Sequence, residues 1–301
     1  MIRGLNSSTE SFLTSMAAIQ ERLEKAQRQI ASGRKLEAAS DEPDQVAGLL
    51  QTRAEIGRVV QLRANLGRTK AEVDGAEQAL QLAVTLTDRA LVLGAQGATG
   101  TQTATTRQSL AGELESILSQ LVGLSNMEVD GRYLFSGDAD QNQPYSFDPE
   151  ADPPYGSYEG APATRKALHP GGTQFAVSHT AQQIFDNEDP ARNLFSAINA
   201  LRAGLAADDS DAISSAMASL KSSSEHLNSE LAFYGAVQNQ VAGAIETAHK
   251  SELQLRTKLS EIEDADLTAA ILELNQARYQ QEAALAARGR MPQTSLFDYL
   301  R

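Results

Sequence analysis

The residues that most often carry out catalysis are few in this chain, and their spacing does not suit it. The histidines have neither the HExxH nor the HxxxH spacing that places two zinc ligands on one helix face; they are His169, His179, His226 and His249. Cysteine is absent, which excludes thiolate metal sites and disulfides. The GxSxG nucleophile motif is also absent. We therefore expect surface or seam-edge histidines, no metal, no cofactor and no enzyme.

Two short stretches resemble ligand-binding loops only in part. Asp138, Asp140 and Asn142 are spaced like the start of a calcium loop, but the glycine and the closing glutamate of such a loop are missing. Residues 94–100 are glycine-rich like a phosphate-binding loop, but no Gly-Lys-Ser/Thr follows and no buried strand precedes. We expect a solvated turn at the first stretch and a break between helices at the second.

The composition favours long packed helices over a deep pocket. Hydrophobic residues make up 41% of the 301 positions, but only 5% are aromatic and tryptophan is absent. The net charge of -13 argues against a nucleic-acid partner, because such binding depends on clustered Lys and Arg. A membrane span and a signal peptide are not expected either, since no sufficiently long apolar run occurs.

The strongest pattern is a coiled-coil seam near the C-terminus, in which apolar or neutral residues recur at alternating spacings of four and three. Its positions are Leu227, Leu231, Tyr234, Gln238, Val241, Ile245, Ala248, Glu252, Leu255, Leu259 and Ile262. The two polar members either are tolerated or set the register between helices. Because such a seam is unstable in water, a partner helix or another subunit must cover it.

Matching seams occupy the N-terminal half. The first runs through Phe12, Met16, Ile19, Leu23, Ala26 and Ile30, and Gly33 follows at a C-cap position. The second runs through Leu62, Leu66, Thr69, Val73, Ala76, Leu80, Ala83, Thr87 and Ala90, with Val46, Leu49, Ile56 and Val60 upstream on the same face. A third helix carries Leu110, Leu114, Ile117, Leu121 and Leu124. We expect the second seam to pair with Leu227–Ile262, and the first to pair with the last helix.

The pattern changes at Asp130-Gly131, where a β and loop insert begins. Residues 131–137 and 173–178 are predicted short strands. Six acidic and no basic residues lie between positions 138 and 160, which favours a solvated outer surface.

Helices resume after the insert. Asp189-Pro190 is the predicted start of one helix, and Asp208–Asp211 caps the next. A last amphipathic run follows at Leu267, Ile271, Leu274, Arg278, Gln281 and Leu285.

The predicted fold is mainly α with a β-containing insert, and the N- and C-terminal halves pair into a long antiparallel coiled-coil-like bundle. Five segments follow from the patterns: an N-terminal assembly helix (1–40), the first half of a helical rod (41–130), an outer insert (131–188), the second half of the rod (189–264) and a C-terminal assembly helix (265–301). A single narrow stripe buries too little apolar surface to offset the ordering of about thirty residues. We therefore expect both terminal segments to order fully only when subunits stack.

Several motifs resemble the flagellin family, and together they span about two thirds of the chain. Gln29–Leu36, followed by Ala39–Pro43, is similar to the N-terminal flagellin signature. Ser260–Asp266 resembles the C-terminal one, and Met291-Pro-Gln293 resembles the close of filament subunits. Asp130–Gly137 and the ending Ser295–Leu300 resemble the hook-associated branch of this family more than the filament branch.

The resemblance implies an axial structural protein of the bacterial flagellum. It would be exported through the flagellar type III channel without a cleaved signal peptide, with the help of a chaperone, and would lie outside the cell at the junction between hook and filament. Its partners would be further copies of itself, the adjacent hook-associated protein and flagellin. The residues expected to mediate assembly are Phe12, Met16, Ile19, Leu23, Ile30, Leu267, Ile271, Leu274, Leu285, Leu296, Phe297 and Leu300.

Two alternative functions remain. One is a filament subunit, that is, a flagellin itself. The more distant one is a helical adaptor or signalling coiled coil, which leaves the motifs at both ends without an explanation. Recognition by innate receptors is not expected, because Ala90 replaces the usual glutamate in the corresponding flagellin segment.

Overall fold

The computed structural model describes residues 2–36 and 43–290, and helices dominate this part of the chain. The helices are α1 (Ile2–Ser32), α2 (Pro43–Gly97), α3 (Ala104–Ser125), α4 (Ala181–Phe185), α5 (Leu194–Ala206), α6 (Ser210–Glu263) and α7 (Leu267–Arg290). The strands are β1 (Glu128–Val129), β2 (Arg132–Tyr133), β3 (Lys166–Leu168) and β4 (Gln174–Ala176). This is the expected flagellin-like class, mainly helical with a small β-containing region between the two helical halves.

The chain forms two compact units. Residues 1–58 and 251–301 form one, called here the terminal unit, and residues 59–250 form the other, called the central unit. Both α2 and α6 contribute residues to each unit. The five segments predicted from the sequence stay a prediction.

The core of the central unit confirms the pairing expected for the two long seams. Polar contacts tie α2 to α6 in antiparallel order, since Gln238 Nε2 donates to Asp74 Oδ1 at 2.7 Å and Arg63 Nη1 lies 3.3 Å from His249 Nδ1. The seam residues of α2 and α6 in this unit are buried or half-buried, with Val60 as an exception at 37% exposed. The buried seam members are Leu66, Val73, Ala76, Leu80, Ala83, Thr87, Ala90, Leu227, Tyr234, Val241 and Ala248.

Gln238 therefore joins the two helices, which fits the register-setting alternative for this seam position. Lys70 and Gln238 both donate to the Asp74 carboxylate, and these hydrogen bonds hold the pKa of Asp74 below its ordinary value. Glu252, the other polar seam member, accepts from Arg256 one turn later on the same helix, at 2.8 and 2.9 Å.

The glycine-rich stretch after Leu93 is not the break that the sequence predicted. Helix α2 continues through Gly94 to Gly97, and both glycines are buried. A Cβ at Gly94 would lie 2.1 Å from Met217 Sδ, and one at Gly97 would lie 2.2 Å from Leu205 Cδ2. These glycines allow neighbouring helices to approach closely. Only the stretch from Ala98 onward forms the connection to α3.

Arg107 is a buried cation that closes this connection. Its guanidinium donates to the carbonyl oxygens of Gly97 (2.9 Å) and Thr99 (3.3 Å), and it forms an ion pair with Asp208. The last carbonyl groups of a helix have no hydrogen-bond partner within the helix. A cation bound to them therefore stabilises the C-terminal end of α2. The same side chain links the α2–α3 turn to the loop before α6.

The β region is smaller than predicted. Strands β1 and β2 form a two-stranded hairpin, whose turn residues Asp130 and Gly131 have φ of 53° and 74°. Strands β3 and β4 form a second antiparallel pair, in which Ala167 lies opposite Phe175. The predicted strand at residues 131–137 shortens to Arg132–Tyr133, because the chain beyond it turns into the aromatic cluster below.

An aromatic cluster fills the base of the insert. Phe195 lies 5.4 Å from Tyr145 and 5.6 Å from Phe185 between ring centroids. The buried Tyr145 hydroxyl donates to Asp186, and burial raises the pKa of that hydroxyl well above its ordinary value. The few aromatic residues of the chain are thus concentrated where the helical pattern is interrupted.

The sequence predicted the start of α6 correctly but not the start of α5. Helix α5 begins at Leu194 with Asn193 as its N-cap, so the predicted start at Asp189-Pro190 is wrong. Asp189 instead closes a turn, in which its carbonyl oxygen accepts from the Arg192 amide at 2.8 Å. Before α6, the Asp209 carboxylate accepts from two first-turn amides, as the Asp208–Asp211 cap predicted.

Candidate assembly interface

Helices α1 and α7 pack against each other in the terminal unit, as predicted for the first and last helices. Along α1, the half-buried positions reproduce the predicted seam; they are Phe12, Met16, Ile19, Leu23 and Ile30. Among residues 9–32 of α1, for which side-chain burial is described, only Ala26 is fully buried, at 1% exposed. The seam therefore lies on the predicted face of α1 but buries little apolar surface.

Polar contacts define the antiparallel register of these two helices. Arg22 Nε lies 2.7 Å from Glu273 Oε1. Further along, the Arg288 guanidinium lies 5.4 Å from the centroid of the Phe12 ring and donates to Thr9 Oγ1 at 3.0 Å. A cation over an aromatic face contributes about 0.5–1 kcal/mol at an exposed site, so these contacts align the helices more than they stabilise them.

Helix α7 faces its partner with small residues and not with the predicted apolar run. Ala270 and Ala277 are its buried positions, at 4% and 0% exposed, and Leu274 is half-buried between them. Three predicted seam members are exposed: Leu267 (48%), Ile271 (48%) and Leu285 (53%). The expectation that they pair with α1 is thus wrong, because the alanine stripe next to them lets α1 and α7 approach more closely.

The terminal unit exposes further large apolar side chains that the sequence pattern missed. On α7 these are Leu272 and Tyr279, at 59% and 73% exposed, and on α1 Leu13 is 60% exposed. Leu272 and Tyr279 are seven residues apart, so a search for a second heptad stripe on the same helix would have found them. Large exposed apolar patches mark interaction surfaces in soluble proteins.

The two sequence signatures meet in space at the end of α1. Gly33 ends the helix with φ of 71°, and its carbonyl oxygen accepts from the Ala265 amide at 2.9 Å. The Lys35 amide donates to the Glu263 carbonyl at 2.7 Å, and Arg34 forms an antiparallel bridge with Asp264. The N-terminal motif is therefore hydrogen-bonded to the C-terminal one, which the sequence alone did not reveal.

The Glu263 side chain is the centre of this junction. It is 5% exposed, and its two carboxylate oxygens lie 2.8 Å from Arg34 Nε and 2.8 Å from Arg53 Nη2. One buried carboxylate at the end of α6 thus joins the turn after α1 to α2 within the terminal unit. Charge-assisted pairs of this kind are stronger than neutral hydrogen bonds.

Three predicted assembly residues, Leu296, Phe297 and Leu300, lie outside the described residues.

The histidines lie at helix edges and turns. His179 Nδ1 lies 2.6 Å from Glu230 Oε2, and the His179 ring stacks on Phe233 with centroids 4.0 Å apart. His226 Nε2 donates to the Gln183 carbonyl at 2.9 Å, while His169 Nδ1 accepts from the Gly171 amide. Across residues 2–36 and 43–290, no three His, Asp or Glu side chains group as metal ligands. Within the same residues, no helix has the length and apolar character that a membrane crossing requires.

The solved structures that align with this chain share its fold. A flagellar hook-associated protein from Vibrio parahaemolyticus aligns with a TM-score of 0.65 at 18% identity, covering 74% of this chain and 100% of that one. FlgL from Bacillus cereus aligns at 0.58 and 18% identity, covering 70% and 99%. Hook-associated protein 3 from Legionella pneumophila aligns at 0.61 and 15%, covering 70% and 98%. No curated protein matches the sequence significantly.

Family models match both helical halves of the sequence. The bacterial flagellin N-terminal helical region matches residues 5–140, and the bacterial flagellin C-terminal helical region matches residues 215–300. These two regions include α1, α7 and the Glu263 junction, and together they span more than two thirds of the chain. The chain therefore belongs to the flagellin family.

Proposed function

We propose that this chain is a structural component of the bacterial flagellum that forms the junction between hook and filament and assembles with its own copies through its terminal helices. Family membership supports the flagellar role. The fold likeness to hook-associated proteins, over 98–100% of their solved chains, supports the junction role over that of a filament subunit.

One observation carries the assembly mechanism: the terminal unit exposes apolar side chains that it does not use in its own core. Eight of the twelve exposed large hydrophobic residues in the described part of the chain belong to this unit; they are Leu13, Leu50, Leu253, Leu267, Leu272, Ile271, Tyr279 and Leu285. Such side chains become buried only when another molecule covers them. We assign that cover to neighbouring copies in the assembled flagellum.

The partners of this role are further copies of the chain, the hook-associated protein on the hook side and flagellin on the filament side. An export chaperone would bind the chain inside the cell, and the flagellar type III channel would then deliver it to the outside without cleavage of a signal peptide. In this role Phe12, Met16, Ile19, Leu23 and Ile30 hold α1 on α7, while the exposed α7 side chains contact the next copy.

Deletion of the gene and labelling of the protein on isolated flagella test the function. We expect hooks to remain and flagellin to be shed into the medium, and we expect the label to lie at a single position between hook and filament. Label along the whole filament, together with loss of the major filament protein, would contradict the junction role and identify a filament subunit.

Substitution of Ile271 by Asp tests the assembly mechanism. Because this side chain is 48% exposed, the variant should fold and be exported like the wild type, with an unchanged far-UV circular dichroism spectrum and melting temperature. Its incorporation into flagella and the motility of the cells should be lost, because the charge would have to be buried in the assembly. Leu296→Asp should behave in the same way.

The matched control is Leu168→Asp, at a side chain that is 43% exposed in the central unit. This variant should assemble normally. Normal motility of the Ile271→Asp variant would rule out the terminal helices as the assembly surface.

A further inference from the structure

A polar cleft of about 410 Å³ lies in the central unit, between α2, the β1–β2 hairpin and the segment before β3. Its lining contains three arginines, although the chain as a whole has a net charge of -13. Each arginine comes from a different element: Arg68 from α2, Arg132 from β2 and Arg165 from the segment before β3. Like charges repel one another, so their convergence in one cleft requires an explanation. The other lining residues are Asn65, Thr69, Glu72 and Asp130.

The position of the β1–β2 hairpin beside the cleft depends on a close approach to α2. A Cβ at Gly75 of α2 would lie 2.9 Å from Val129 Cγ2, so the glycine leaves room for the hairpin. Val129 pairs with Arg132 across the hairpin. The backbone of Arg132 is therefore held against α2, and its Nη1 lies 3.2 Å from Asp140 Oδ2.

The segment that carries Arg165 is anchored by Asp138. The Asp138 carboxylate accepts from the Thr164 hydroxyl at 2.5 Å and from the Thr164 amide at 3.1 Å. These hydrogen bonds, together with the nearby charge of Arg165, hold the pKa of Asp138 below its ordinary value. Asp138 and Asp140 are the two carboxylates whose spacing resembles the start of a calcium loop. In the structure they instead hold two arginine-bearing segments at the cleft.

The arginines retain donors for a ligand. Arg132 and Arg165 each have a carboxylate partner, but these ion pairs are long, at 3.2 and 3.4 Å, and a guanidinium has five N–H donors. Arg68 Nη2 donates to the Asn65 side chain at 2.6 Å. Among the residues that the structure describes, no carboxylate lies within ion-pair distance of Arg68. The excess positive charge of the cleft is therefore on this side chain.

We propose that this cleft binds a small anion of the phosphate class, with Arg68 as the principal contact and Arg132 and Arg165 as further donors. Guanidinium groups match the geometry of phosphate oxygens, and a phosphate group carries nearly two negative charges at neutral pH. Donors from three elements suit a tetrahedral anion, because its oxygens point in several directions. The carboxylates of Glu72 and Asp130 weaken the attraction, so the affinity depends on each charge in the lining.

Calorimetric titration of the purified full chain with inorganic phosphate tests this inference, at an ionic strength kept constant with sodium chloride. A melting temperature alone would not suffice, because phosphate stabilises folded proteins in general through its exclusion from their surface. We expect saturable binding by the wild type. Arg68→Gln should weaken this binding about tenfold, as expected for one lost charge-assisted hydrogen bond.

The matched control is Arg58→Gln. It removes the same charge from an exposed position of the same helix, ten residues from Arg68 and thus about 15 Å along the axis. This variant should bind phosphate like the wild type. Absence of saturable binding by the wild type, or equal binding by the Arg68→Gln and Arg58→Gln variants, would overturn the inference. Neither result would affect the proposed function, because all three arginines of the cleft belong to one unit of one copy.

Glu72→Gln tests the same site with the opposite sign. Loss of this carboxylate removes a negative charge from the lining and releases Arg165, so phosphate binding should strengthen severalfold. A lower melting temperature without stronger phosphate binding would mean that the arginines serve only as partners of the carboxylates, and would overturn the inference. Titration with glycerol phosphate identifies the source of the anion. Tighter binding than that of inorganic phosphate indicates the phosphate group of a larger molecule, and equal or weaker binding indicates the free anion.

Discussion

Glu263 shows how one residue can join the two ends of a long chain. Its backbone pairs with Lys35 and its carboxylate pairs with Arg34 and Arg53, so both sequence signatures depend on it. The carboxylate is buried, whereas Arg34 and Arg53 are about half exposed, and solvent screening weakens each ion pair. The two arginines thus stabilise the junction in two ways. They attract the carboxylate, and they prevent it from being a buried charge without a partner.

We predict that Glu263→Gln destabilises the terminal unit by about 1–2 kcal/mol, a value discounted for the exposure of both arginines. Limited proteolysis should then cleave α1 about 5–30 times faster, while the central unit keeps its wild-type resistance. Glu261→Gln, at an exposed position two residues away, is the control and should leave the cleavage rate unchanged. Equal effects of the two variants would mean that the ion pairs contribute nothing.

Gly94 is a second residue whose role depends on its neighbours. An alanine there would place its Cβ 2.1 Å from Met217 Sδ and 2.9 Å from Leu201 Cδ2. We predict that Gly94→Ala destabilises the protein by about 1–3 kcal/mol through overpacking, as measured by urea unfolding. Gly67→Ala lies in the same helix with nothing within 4 Å, so it should instead stabilise by about 0.5–1 kcal/mol. A stabilising effect at both positions would show that the core repacks freely around Gly94.

At the scale of elements, the two helix pairs are unequal. The pair α2–α6 has fully buried leucines, a buried tyrosine and a core shared with α3 and α5 in the central unit. Within residues 9–32 of α1 and 267–289 of α7, only alanines are fully buried, and the larger side chains are half-buried or exposed. Since burial of apolar area is the main stabilising contribution, α1 and α7 should open more readily than the central helices.

Hydrogen exchange of the isolated monomer measures this difference. We predict that amides of α1 and α7 exchange at least a hundredfold faster than those at residues 213–241 of α6, a stretch in which Ile213, Leu220, Leu227, Tyr234 and Val241 are buried in the core. After assembly into flagella, the protection of α1 and α7 should rise toward that of α6. Equal protection in the monomer would contradict the hypothesis that the ends order fully only when subunits stack.

At the scale of the whole molecule, net charge opposes self-association. Each copy carries -13, and the six acidic residues at positions 138–160 have no basic neighbour in that stretch. We therefore expect copies to associate through uncharged or apolar surfaces, such as the exposed leucines of α7. Salt shortens the range of the repulsion, to about 10 Å at 0.1 M.

We predict that self-association of the purified chain strengthens as salt rises from about 0.02 M to about 0.2 M, because the repulsion is screened while apolar contacts persist. Sedimentation velocity at several protein concentrations would measure the shift. Weaker association at the higher salt would show that ion pairs between copies dominate the contact, contrary to the proposed apolar assembly surface.

Much of this architecture was predictable from residue spacing. The phase of the α1 seam, the α2–α6 pairing, the Gly33 cap and the Asp209 cap all follow from local patterns, because a heptad repeat defines which face of a helix must be covered. The errors occurred where one pattern fits two structures. Gly94 and Gly97 could equally end a helix or admit a close neighbour, and Asp189-Pro190 closes a turn as readily as it starts a helix.

The sequence by itself determined where the long helices lie, which of their faces are apolar and which family motifs stand at each end, since these depend on residue type and spacing alone. Only the tertiary structure decided how close the helices come. On α7, alanines and leucines form adjacent stripes of similar apolar character, and the distance to α1 selects the alanines and leaves Leu267, Ile271 and Leu285 in solvent. It likewise brought Arg34 and Glu263 together across more than two hundred residues, because a contact between distant segments depends on the folded path of the chain.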